Sequence, residues 1–218
     1  MKRILLLALL IGSALCSLMG QISHSANGDV DENAARILKK ASDKFSKGSV
    51  SFTVTMINKD SDKQETARQS ATVLYKGGKY RVELPRQVLY SDGNSVWHWN
   101  KDAGEVTVNK LDKNDDDLMN PATLLANYSK NFREKYIRTE EDGTAVIDLA
   151  PRGSKSYHKI RIFVAEKNGI VKGMELHNYD GSRGEYHLSK FKSGVKSTDG
   201  DFIFDRQANP AVEVIDMR

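Results

Sequence analysis

From Ser49 onward, apolar and polar side chains alternate with a period of two, and short glycine-bearing turns break the alternation at regular intervals. Phe52, Val54 and Met56 alternate with Ser51, Thr53 and Thr55. The run from Ala71 to Tyr75 stops at Gly77-Gly78, after which Tyr80, Val82 and Leu84 alternate with Arg81 and Glu83. Successive strand side chains point to opposite faces, so this pattern commits the chain to half-buried strands. Turns this tight join antiparallel neighbours, and a two-glycine turn is a hairpin signal. Further strands are expected at Val88–Ser91, Ser95–Asn100, Glu105–Leu111, Lys135–Glu140, Thr144–Leu149, His158–Ala165, Val171–Asn178 and Gly184–Phe191. Turns at Asp92-Gly93-Asn94, Asp102-Ala103-Gly104, Glu141-Asp142-Gly143, Lys167-Asn168-Gly169 and Asp180-Gly181-Ser182 separate them. The pattern predicts a mainly β fold, one long antiparallel meander of roughly ten or eleven strands.

Two stretches change period. Asp29-Val30-Asp31-Glu32 reads as a helix start, with Glu32 three residues after Asp29 as in a capping box. Ala34, Ile37, Leu38, Ala41 and Phe45 then form one apolar stripe between charged positions, and Lys47-Gly48 closes the helix. The second helix starts at Asn120-Pro121, with Asn as cap and Pro in the first turn, and carries Leu124, Leu125, Tyr128 and Phe132. No linker, repeat or low-complexity tract divides the chain, so residues 21–218 are expected to form a single domain. The charged run Lys113–Asp117 reads as a solvated loop.

Residues 1–20 read as an address. Lys2-Arg3, an apolar run from Ile4 to Leu15, and Gly20 before Gln21 describe a secretory signal peptide, with cleavage expected after Gly20 and Ala26 as the second choice. An uncleaved anchor would want about 20 apolar residues. Cys16 is the single cysteine; Leu15 before it argues against lipidation, because a small residue is expected there. The mature chain would then lack cysteine and be held by its core alone, outside the cytoplasm. The formal charge of +4 includes Lys2 and Arg3, so the remainder is nearly neutral and nothing calls for nucleic acid.

Catalytic chemistry has no visible constellation. His24, His98, His158, His177 and His187 are not in metal-ligand spacing, and no nucleophile elbow or phosphate loop occurs. Asp112, Asp115 and Asp117 lack the glycine that a calcium loop turns on. No enzyme, metal or cofactor is expected. The apolar side is richer. A curved sheet rich in Phe, Tyr, Trp, Ile and Met, with two apolar-faced helices across its opening, either packs as an ordinary core or encloses a greasy cavity.

The run Val88-Leu89-Tyr90-Ser91-Asp92-Gly93-Asn94-Ser95-Val96-Trp97-His98-Trp99, continuing through Glu105-Val106-Thr107-Val108, resembles the periplasmic outer-membrane lipoprotein carrier proteins of the LolA type. The Pro-led helix at 120–125 and the ending Phe202-Ile203-Phe204-Asp205 with Pro210–Asp216 are similar to that family as well. The resemblance covers residues 29–218. It implies a strongly curved, incomplete antiparallel β-barrel, with short helices forming a lid over an apolar cavity. It also implies a periplasmic carrier that takes the acyl chains of lipoproteins from inner to outer membrane. The partners implied are acylated lipoproteins, an inner-membrane lipoprotein-releasing transporter and an outer-membrane acceptor, with the carrier itself a monomer. A lipid-binding envelope sensor of the same fold is the alternative, disfavoured because such proteins usually carry a further C-terminal domain.

On this reading the lid contributes Ile37, Leu38, Phe45, Leu124 and Leu125, and the sheet contributes Phe52, Val54, Met56, Leu74 and Tyr80. Trp97 and Trp99 share a strand face and are expected on the concave side beside the cavity, because two large rings are costly to leave wet. In enteric members of the family an Arg takes part in lid closure at the hairpin that here reads Tyr75-Lys76-Gly77-Gly78-Lys79; glycine stands in that place, and Arg81 or Arg86 could substitute.

Overall fold

The computed structural model describes residues 31–112 and 121–218. The leader at 1–20, Asp29, Asn120 and the run at 113–117 lie outside the described residues.

The alternating segments all form strands. In chain order they are β1 (Val50–Lys59), β2 (Glu65–Lys76), β3 (Lys79–Glu83), β4 (Gln87–Ser91), β5 (Ser95–Asn100) and β6 (Glu105–Lys110). After the second helix come β7 (Phe132–Thr139), β8 (Thr144–Pro151), β9 (Tyr157–Ala165), β10 (Ile170–Asn178) and β11 (Arg183–Ser193). The sequence pattern did not single out the last strand, β12 (Glu213–Asp216). All belong to one open sheet in the order β12-β6-β5-β4-β3-β2-β1-β11-β10-β9-β8-β7. Every pairing is antiparallel except β12 with β6, which is parallel. That exception has a simple cause. The chain leaves β11 in the middle of the sheet and crosses several strands to reach β6, and a long crossover permits parallel pairing where a tight turn does not.

Helix α1 (Glu32–Ser46) is capped by Asp31, whose side chain accepts hydrogen bonds from the N–H groups of Asn33 and Ala34, both at 3.1 Å. The cap is therefore one residue before the helix, and the box expected from Asp29 and Glu32 is not how it begins. Lys47 ends it, with Gly48 following at φ +84°. Helix α2 (Pro121–Asn131) runs directly into β7.

The sheet curls around α1. The helix touches β2 on one side and β7, β9 and β10 on the other. In sheet order β2 and β7 are six strand spacings apart, about 29 Å if flat, whereas a helix is roughly 10–12 Å across. Only a strongly curved sheet lets one helix reach both. Register shifts between Ser51 and Thr53, Tyr136 and Arg138, and Val171 and Gly173 supply bulges of the kind that bend a strand. The sheet ends at β12 and β7 without closing, and the result is an incomplete barrel.

Candidate functional site

The concave face is set by register. Val50, Phe52 and Val54 of β1 lie opposite Tyr75, Val73 and Ala71 of β2, and Val73 and Tyr75 lie opposite Val82 and Tyr80 of β3. On the other side, Met56 faces Tyr186, which faces Met174, then Ile162, then Ile147. These residues share one apolar cluster with Ala34, Ile37, Leu38, Ala41 and Phe45 of α1 and with Leu124 and Leu125 of α2. Ile37 is 1% exposed and Leu38 0%, so the helical stripe fills the concavity. Phe45 sits edge-on to Phe52, Tyr75 and Phe191, with centroids 5.8–6.1 Å apart. The interior is dry enough to matter electrostatically. Burial pushes the hydroxyls of Tyr75 and Tyr186 above the usual phenol range, although Tyr75 also accepts a hydrogen bond from the Gly78 N–H at 3.0 Å.

Nine of the twelve predicted lining residues come together here: Ile37, Leu38, Phe45, Phe52, Val54, Met56, Tyr80, Leu124 and Leu125. Three do not. Leu74 pairs with Ser51 and Arg81 and points to the outer face, one residue out of phase with Val73 and Tyr75. Trp97 and Trp99 do share a face, but the outer one. They lie opposite Tyr90 and Val88, which alternate with the inward Leu89. Their burial comes from another source. A separate cluster of Val88, Tyr90, Val106 and Phe204 takes both rings together with Val212 and Val214. Phe204 lies edge-on to Trp99 at 5.4 Å and to Tyr90 at 6.4 Å. The C-terminal segment half-buries the pair.

Polar contacts that fix α1 lie at its rim. The second carboxylate oxygen of Asp31 accepts from the Tyr136 N–H of β7 at 2.8 Å. Arg36 donates to Glu166 at 2.7 Å, and Glu166 also accepts from Thr139 at 3.2 Å. The Lys40 ammonium donates to the carbonyls of Glu166 and Lys167, at 3.0 and 2.6 Å. Gly169, at φ +72°, lets the β9–β10 turn approach this closely. A Cβ there would fall 2.8 Å from the Lys40 carbonyl oxygen. The Arg36 hydrogen bond holds the Glu166 carboxyl below its ordinary range, against the opposing effect of burial and with help from Thr139. Arg81 and Arg86 are engaged elsewhere. Arg81 donates to Glu83 at 2.9 Å and lies over the Tyr90 ring, and Arg86 pairs with Asp102. The contacts between α1 and the β9–β10 turn thus draw their cations from α1 itself. Sequence reasoning missed them because their two halves are some 130 positions apart.

An open recess of about 590 Å³ surrounds Gly173 and Phe163 on the outer face. Its walls combine Phe163, Met174 and Tyr186 with a charged rim of Glu140, Glu141, Asp142, Lys172, Glu175 and His187. Among the described residues, no helix is long and apolar enough to cross a membrane.

Comparison with known proteins agrees with this architecture. The family model described as "Outer membrane lipoprotein carrier protein LolA" matches residues 43–205. A protein of Neisseria gonorrhoeae named outer-membrane lipoprotein carrier protein is 28% identical over 198 residues, 88% of this chain and 89% of its own. A Vibrio cholerae protein of the same name is 28% identical over 142 residues, 64% of this chain and 68% of its own. The crystal structure of an uncharacterized conserved protein from Thermus thermophilus superposes with a TM-score of 0.57 at 11% identity, covering 85% of this chain and 99% of that one, a likeness of fold alone. With the family model spanning well over half of the sequence, the chain belongs to the outer-membrane lipoprotein carrier family, LolA.

Proposed function

We propose that this protein is a periplasmic carrier that shields the acyl chains of lipoproteins on their way from inner to outer membrane. The observation that carries this reading is the pairing of a continuous apolar concave face with an amphipathic helix seated on it by rim contacts. Lifting α1 would open a groove lined by Phe52, Val54, Met56 and Tyr80 of the sheet and Leu124 and Leu125 of α2, with Ile37, Leu38 and Phe45 on the moving side. Each CH₂ withdrawn from water is worth about 0.8 kcal/mol, so an acyl chain gains roughly 10 kcal/mol on entering such a groove. The helix stripe and the chain compete for the same surface, which keeps net affinity moderate and lets cargo leave. No covalent step is needed. The carrier acts as a monomer, receives cargo from an inner-membrane lipoprotein-releasing transporter and passes it to an outer-membrane acceptor.

Native mass spectrometry of the protein purified from its own periplasm tests the reading. Adducts matching acylated polypeptides are expected. Protein that is empty in repeated preparations, and that fails to take up a fluorescent fatty acid, would overturn it.

A further inference from the structure

The inward row of β7 contains one side chain unlike its neighbours. Alternation puts residues 132, 134 and 136 on the concave face, and Phe132 and Tyr136 join the apolar cluster there. Glu134 stands between them, while Arg133 and Lys135 are exposed on the other face. Glu134 is only 8% exposed and lies opposite Leu149, which is fully buried. It is also close to Tyr128 of α2, whose hydroxyl is pushed up by burial and further by the Glu134 carboxyl. Among the described residues, its Oε2 is buried with no hydrogen-bond partner. The contrast with Glu185 is plain. That buried carboxyl has Lys59 at 2.9 Å and Arg183 at 2.6 Å. A buried acceptor without a donor is destabilising, so an unmatched one inside an apolar site marks where a ligand's donor belongs.

We propose that Glu134 is the polar anchor of the acyl site, with Oε2 accepting a hydrogen bond from an N–H group at the head of a bound acyl chain. The donor is an amide N–H or an ammonium, chemistry that an acylated amino terminus or a long-chain amine supplies. This deepens the carrier reading and rests on it. An apolar groove alone fixes no position along a hydrocarbon chain, whereas one buried acceptor sets its register and rejects a head without a donor.

Displacement of a bound fluorescent fatty acid by N-methyldodecanamide, dodecylamine and methyl dodecanoate tests the anchor, because the amide and the ester differ only in N–H against O. The wild-type protein is expected to prefer the amide or the amine over the ester by about tenfold. Preference for the amide assigns the donor to an amide, and preference for the amine assigns it to an ammonium. Glu134→Leu should bring both down to the ester's affinity and leave the ester unchanged. Glu134→Gln, which keeps an acceptor, should retain preference for the amide and lose that for the amine. Equal affinity of the wild type for all three probes, or a preference that survives Glu134→Leu, overturns the anchor while ester binding leaves the carrier reading standing. If none of the three displaces the fatty acid from wild type, both fall.

Discussion

Two apolar clusters sit on opposite faces of the same sheet, and they are covered in different ways. The concave cluster is closed by α1, a helix that adds no strand to the sheet and is held at its rim by Asp31, Arg36 and Lys40. The outer cluster of Val88, Tyr90, Val106 and Phe204 is closed by the C-terminal segment. That segment is built in. Lys79 pairs with Asp199 at its start, the turn Asp199–Phe202 packs on β3, and β12 hydrogen-bonds along β6 from Glu213 to Asp216. Removing the first cover breaks a few exposed or part-buried polar contacts and uncovers apolar surface that, on the carrier reading, an acyl chain takes over. Removing the second breaks a β-ladder and uncovers two indoles with nothing to replace the cover. On the carrier reading, apolar content does not distinguish a binding face from a structural one; the attachment of the covering segment does.

The largest effect should fall on the outer cluster. Phe204→Ala is expected to destabilise the protein by about 3–5 kcal/mol in urea unfolding, the range for removing a buried Phe, while fatty-acid affinity of the folded protein stays the same. Both tryptophans of the chain lie in this cluster, so their emission should not change when acyl ligand saturates the protein. A shift in emission, or weakened binding without a stability loss, would mean that the outer face takes part in carriage.

Leu38→Asp should act the other way round. It places a charge on the wall of the proposed groove, where a bound acyl chain would have to touch it, while the sheet survives, because a lid opens with less free energy than the whole fold. Uptake should fall by at least tenfold, with a loss of about 2 kcal/mol or less in unfolding free energy. Equal loss in both measurements would make α1 plain core and erase the contrast between the faces.

Gly169→Ala probes the lid without touching the groove. The added Cβ would meet the Lys40 carbonyl at 2.8 Å, in a backbone conformation that favours glycine. Strain of this kind is worth about 1–3 kcal/mol. The part that comes from the Lys40 contact exists only while α1 is docked, so it should raise the on-rate for a fluorescent fatty acid several-fold by enlarging the open fraction. An unchanged on-rate in a folded variant would show that the turn does not restrain the helix.

The smallest effect is the pH dependence of the Arg36–Glu166 contact. The Arg36 hydrogen bond lowers the Glu166 carboxyl from its ordinary value of 4.5, so its contribution is complete above that pH and disappears as pH falls through the lower folded-state value. Stopped-flow uptake should therefore quicken modestly on acidification below about 4.5, and Glu166→Gln should flatten that part of the profile. The amplitude is small because exposed ion pairs contribute less than about 1 kcal/mol. A wild-type profile with no acid limb would remove Glu166 from control of the lid.

The strands, the turns and the stripe of α1 were legible in the sequence because each rests on local periodicity: two along a strand, 3.6 along a helix, and glycine where the turn demands it. The membership of nine residues in the concave apolar cluster followed from the same patterns. Leu74, Trp97 and Trp99 did not, because alternation says which residues share a face and never which face is concave. That is decided by pairing, and one residue of phase sends the whole set to the other side. Trp97 and Trp99 were correctly joined to each other and wrongly assigned to the groove. Their actual cover, Phe204, follows about a hundred residues later. The parallel strand β12, the Arg36–Glu166 contact and the solitary acceptor of Glu134 have the same origin. Each depends on which distant segments the curved sheet brings together. Short-range sequence thus determined the elements and their apolar faces, and tertiary structure alone decided which face α1 covers and which the C-terminal segment covers.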